Sequence, residues 1–116
     1  ADNRKAWPKG KAVPPRMTFA PDAMTREVMT QVAAWRGRWG SVDGFSLPVT
    51  RAEALELLER FVTERLAEFG PYEDAMVDGE ADLLHSTLAS ALNIGLLHPR
   101  ELVERAERAY HEGAVP

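Results

Sequence analysis

The chain has 116 residues, 45% of them hydrophobic and 28% charged, with a formal net charge of −4 and no cysteine. This suits one small globular segment and excludes disulfides and thiolate metal sites. No apolar run approaches the roughly 20 residues of a membrane-spanning helix, and no apolar stretch follows the basic N-terminus as in a secretory signal, so a cytoplasmic protein is expected.

The charge is uneven. Residues 1–16 carry Arg4, Lys5, Lys9, Lys11 and Arg16 against Asp2, a net of +4, which leaves −8 for the remainder. A basic arm attracts phosphates while an acidic body repels them. The chain alone is therefore expected to bind DNA poorly, with the arm a solvated linker.

Residues 1–21 contain Pro8, Pro14, Pro15 and Pro21 and show no helical period. Proline removes a donor and fixes φ, which predicts an extended connector. Trp7, Met17 and Phe19 make sense there if the connector lies against a surface, one that need not belong to this chain. A first helix is expected from Thr25 to Arg36, with Val28, Met29, Val32, Ala33 and Trp35 on one side and Gly37 and Gly40 ending it. Asp43-Gly44 marks a turn in the following loop.

Thr50-Arg51-Ala52-Glu53 spells a capping box. Ala54, Leu55, Leu58, Phe61, Val62, Leu66 and Phe69 then recur at helical spacing. Gly70 is expected to supply a left-handed stop, and Pro71 forbids continuation. An acidic, turn-rich stretch reaches Asp82. A short helix is expected from Thr87 to Ile94, stopped by Gly95. A last one begins at Pro99, with Glu101 in its first turn, Leu102, Val103, Ala106, Ala109 and Tyr110 on its apolar side, and Gly113 closing it. The reading is all-α: about four helices in a small bundle behind a Pro-rich connector.

Few residues carry recognisable chemistry. His85, His98 and His111 are thirteen apart, so no i, i+4 zinc pair exists on a helix. Asp74, Asp78, Glu80 and Asp82 do not have the spacing of an EF-hand loop, and a solvated acidic loop is the plainer reading. Ser86 beside His85 is no nucleophile–base pair, and there is no glycine-rich phosphate loop. The suggestive run is Leu84-His85-Ser86-Thr87-Leu88-Ala89-Ser90, which puts hydroxyl side chains at a helix start. Ser86 there is either a plain N-cap or a cap that also meets an anion, since helix starts offer free amides and a positive dipole end.

Spaced blocks covering nearly the whole chain resemble the bacterial photolyase-related proteins, the iron–sulfur branch of the photolyase/cryptochrome superfamily that includes bacterial (6-4) photolyases. They are Asp2-Asn3-Arg4-Lys5 with Pro8-Lys9-Gly10, Pro48 to Ala54, Phe69 to Met76, His85 to Asn93, and Leu96 to Glu101. The resemblance implies residues 1–21 as an interdomain connector. Residues 22–116 would be the N-terminal helical part of an FAD-binding domain. It also implies FAD-phosphate contacts from Tyr72, His85, Ser86, Thr87, Leu88 and Ser90. Ala89 stands where the superfamily run has a second serine, which removes one hydroxyl donor. In the full-length parent the resemblance implies light-driven DNA repair or photoreception with FAD. The iron–sulfur cluster, antenna pigment, DNA contacts and remaining domains would lie outside this chain, which would not be an enzyme alone. Apolar faces left without those domains would favour a homodimer. A different class of function is also open: a stand-alone helical interaction module without cofactor.

Overall fold

The computed structural model describes residues 4–116; Asp2 and Asn3 of the opening block lie outside them. Among the described residues the helices run α1 (Ala23–Ala33), α2 (Arg51–Glu64), α3 (Leu66–Phe69), α4 (Ala89–Asn93) and α5 (Pro99–His111), with a 3-10 turn at Gly70–Tyr72. They include no strand, only an isolated antiparallel bridge between Val77 and Glu80. The all-α architecture follows a Pro-rich, non-helical N-terminal segment, as the sequence implies.

α2 starts where its capping box places it. The Thr50 hydroxyl accepts from the Glu53 N–H at 3.2 Å, and the Glu53 carboxylate accepts from the Thr50 N–H at 3.1 Å. Ala54, Leu57, Leu58, Phe61 and Val62 form its buried stripe. Against that stripe pack Leu88, Ala91, Leu97 and Ala109, together with Met17 and Phe19. The surface that receives those two connector residues is thus the chain's own. Further along the same segment, the Lys5 N–H donates to the Pro71 carbonyl at 3.0 Å and the Phe19 N–H to that of Ser46 at 2.9 Å.

Two expectations need correction. The helix over 51–69 is broken: Arg65 leaves helical geometry at φ −128°, ψ −36°, separating α2 from α3. Gly70 is no left-handed stop, because its φ of −53° lets the chain tighten directly into the 3-10 turn that carries Pro71. The break belongs to Arg65, whose side chain is drawn inward to hydrogen-bond outside its own helix.

The other ends follow local chemistry. At φ 77° and 72°, Gly95 and Gly113 let the next residue donate back five positions, Leu96 to Ala91 and Ala114 to Ala109, each at 2.9 Å; this geometry excludes most side chains. α5 opens on a cap that the sequence does not flag. His98 Nδ1 accepts from the Arg100 N–H at 3.2 Å, and the Glu101 carboxylate accepts from the His98 N–H at 2.8 Å. Arg51 reaches over from the start of α2 to Glu101 and to the Leu96 carbonyl, at 3.1 and 2.9 Å. Arg105 grips Glu59, so α5 is tied to α2 at two levels.

α1 is held loosely. It buries none of its residues, and Trp35, beyond its end, is 65% exposed rather than part of a packed stripe.

Candidate cofactor-binding groove

The 85–90 run borders an open groove of about 510 Å³ whose floor is apolar: Phe61, Leu66, Phe69 and Leu88, with Leu102 and Ala106 of α5 opposite. His85, Ser86 and Thr87 form its polar edge. The Phe69 and His85 rings meet edge to face at 5.7 Å, which fixes the imidazole at the rim.

The backbone of this edge is unusual. Leu83 and Thr87 adopt left-handed φ values of 41° and 55°. Such values are uncommon outside glycine and strained for a β-branched residue. Thr87 turns the chain so that α4 begins only at Ala89, with Leu88 in the cap position and no side chain capping it. Ser86 is therefore not the helix cap expected. Its Oγ accepts from the Leu88 N–H at a long 3.4 Å, while the Thr87 hydroxyl donates to the Ser86 carbonyl at 2.7 Å. The N–H groups of Thr87, Ala89 and Ser90 find no acceptor among the described residues. The Ser90 hydroxyl is shielded from solvent and also lacks a partner. The edge thus offers main-chain N–H groups that the fold itself does not use, above an apolar floor.

The site residues expected from sequence are only partly brought together. His85, Ser86, Thr87 and Leu88 line the groove. Ser90 sits in α4 behind it, and Tyr72 does not line it. The Tyr72 ring instead packs edge to face on Trp7 at 5.3 Å, under the Lys11 ammonium, which also pairs with Glu68. Ala89 also lines the groove.

Sequence reasoning missed Arg65. Its side chain is 1% exposed, with Nη1 donating to the His85 carbonyl at 2.8 Å and Nη2 to the Pro15 carbonyl at 2.7 Å. Burial pushes its pKa below the ordinary arginine value, and the Asp82 and Glu64 charges oppose that shift. Arg16 holds the same loop one turn earlier through Asp82 at 2.7 Å. The available signal was periodicity, because Arg65 falls four residues after Phe61 on the buried stripe of α2. None of the described His, Asp and Glu residues cluster in threes able to hold a metal ion.

A second concavity, also about 510 Å³, lies between α1 and the 42–50 loop and is lined mainly by Met24, Val28, Met29, Val32, Val42 and Phe45. Its polar lining is Asp22, Thr25 and Thr50, the first and last of which serve as helix caps.

The family model for deoxyribodipyrimidine photo-lyase-related proteins matches residues 1–47. A (6-4) photolyase of Agrobacterium fabrum (strain C58 / ATCC 33970) is 37% identical over 117 residues, covering all of this chain and 23% of the relative. The chain thus spans less than a quarter of that protein's length. Tyr72 and the 85–90 run lie beyond the 1–47 match and within the longer similarity.

Proposed function

We propose that the chain, which resembles the photolyase-related proteins, belongs with them and forms one wall of a flavin site in a longer photolyase-like protein. The observation that carries the reading is the 85–90 edge, where unused main-chain N–H groups stand above an apolar floor. A flavin dinucleotide needs that pairing, because its diphosphate takes hydrogen-bond donors while its ring systems take apolar and aromatic neighbours. His85, Ser86, Thr87, the Leu88 main chain and Ser90 would hold the phosphate part. Tyr72 fits less well where it stands, and joins the set only if its ring leaves Trp7.

Bound FAD would supply light-driven electron transfer. This chain's own share is to hold and orient: the strained turn at Thr87 presents the amides, and Phe61, Leu66 and Phe69 exclude water beneath them. Residues 22–116 are the start of the cofactor domain in this reading, with 1–21 leading into it. DNA and the remaining domains are partners of the longer protein.

The test is to purify the gene product intact from its host, weigh it by mass spectrometry and record its visible absorbance. A longer polypeptide with a flavin spectrum is expected. A flavin-free product of only these 116 residues would overturn the reading in favour of an interaction module using the apolar concavity beside α1.

A further inference from the structure

We infer that Arg65 is a positioning residue for the anionic part of the ligand at the 85–90 edge: it fixes the edge and gives it a buried positive charge. The inference rests on the flavin-wall reading above and adds a residue that this reading does not contain.

Three observations meet at Arg65. It is among the most deeply buried side chains of the molecule, at 1% exposure, yet it takes part in none of the ion pairs of the described residues. Its two terminal nitrogens donate to main-chain carbonyls, of His85 and Pro15, and its Nε is buried with no partner at all. One of those carbonyls belongs to the first residue of the polar edge, directly before the free N–H groups of Thr87 and Ala89.

Burying a guanidinium with no carboxylate in ion-pair contact is costly, since the Asp82 and Glu64 charges act on it less strongly than burial does, and fold stability alone is better served by an apolar residue of similar volume. Carbonyl dipoles meet its two terminal nitrogens but do not cancel its charge. In a low-dielectric interior that charge acts over several ångströms, and here it acts on the segment whose amides lack acceptors. The geometry is also that of a clamp. With Pro15 on one terminal nitrogen and His85 on the other, Arg65 sets where the turn with its left-handed Leu83 and Thr87 sits relative to the core. Arg16, adjoining Pro15, fixes the same turn through Asp82. The ligand chemistry this selects is a phosphate or diphosphate, as opposed to an uncharged ring alone.

The experiment compares FAD with riboflavin, which has the same ring system without phosphates, on the apo form of the intact gene product. Arg65→Met should weaken FAD by about tenfold or more and riboflavin by less than about threefold, through the lost placement of the edge and the lost field of the buried charge. Arg65→Lys, which keeps the charge and one donor, should recover most of the FAD affinity. Equal losses for both ligands would overturn the inference, reducing Arg65 to a packing residue; so would a Lys variant binding FAD as poorly as Met. If Arg65→Met fails to fold, Arg65→Gln, which keeps a donor and removes the charge, takes its place, and an FAD-to-riboflavin ratio unchanged from the wild type then counts against the inference. A wild-type protein that binds neither flavin would bring down the flavin-wall reading itself, a result distinct from either Arg65 outcome.

Discussion

Arg105 of α5 grips Glu59 of α2 through two parallel hydrogen bonds, Nε to Oε1 at 2.7 Å and Nη2 to Oε2 at 3.0 Å. The fork-to-fork match lets one pair set the register of two helices 46 residues apart in sequence. The Arg105 guanidinium holds the Glu59 carboxyl below the usual range, against a smaller opposing effect of burial. Since Glu59 remains largely open to solvent, the coupling is expected at the modest end, about 0.5–1 kcal/mol in a double-mutant cycle of Glu59→Ala and Arg105→Ala. Urea denaturation gives the number. Strictly additive single variants would show that helix packing alone sets the register.

Glu101 gives the pH dependence. The Arg51 guanidinium and the His98 N–H hold its carboxyl down to about 2 from an ordinary 4.5. A carboxylate with a depressed folded value contributes stability that is complete above its unfolded value and disappears as pH falls through the folded one. Stability should therefore decline from pH 4.5 towards pH 2, and Glu101→Gln should flatten that part of the curve. Melting temperatures at stepped pH check it; an unchanged slope in the variant would assign acid sensitivity to other carboxylates.

The connector's role in the core can be weighed directly. Met17 is buried against the α2 stripe, so Met17→Ala is expected to cost about 2–5 kcal/mol, as Leu57→Ala should on the helix itself. Leu55→Ala, on the exposed flank, should cost less than about 1 kcal/mol. Chemical denaturation ranks the three, and a Met17 variant grouped with Leu55 would mean that the connector only rests on the fold.

Thr87 holds left-handed backbone at φ 55°. Asparagine tolerates that region far better than a β-branched residue, so Thr87→Asn should raise stability by about 0.5–1 kcal/mol. A lower melting temperature would show that the Thr87 hydroxyl bond to the Ser86 carbonyl outweighs the backbone strain.

Much of this was legible in the sequence, for a physical reason in each case. Thr50 and Glu53 cap α2 because a capping box is local chemistry, and Gly95 and Gly113 end helices because only glycine relaxes at those φ values. Periodicity alone chose Leu55 for the buried stripe where Leu57 is the residue inside, a difference of half a turn that only the approach of α5 and the connector decides. Arg65 was overlooked although its position continues the buried stripe. Its charge argues for the surface, and the carbonyls that draw it inward belong to residues 50 and 20 positions away. His98 as a cap was overlooked because its ring nitrogen does what Ser, Thr, Asp or Asn usually does. At the candidate groove the structure sets His85 to Leu88 side by side, while tertiary packing turns Tyr72 towards Trp7, a contact no local pattern signals.

The contact between Trp7 and Tyr72 has an optical consequence. Of the three tryptophans, Trp35 and Trp39 are 65% and 99% exposed, and so emit from a watery environment while the protein is still folded. Trp7 alone is packed, edge to face with Tyr72, its indole N–H bonded to the Lys11 carbonyl. A shift in intrinsic fluorescence therefore follows the N-terminal segment leaving the Gly70–Tyr72 turn, whereas far-ultraviolet circular dichroism follows the helices. The two signals coincide only when segment and helices come apart as one cooperative unit.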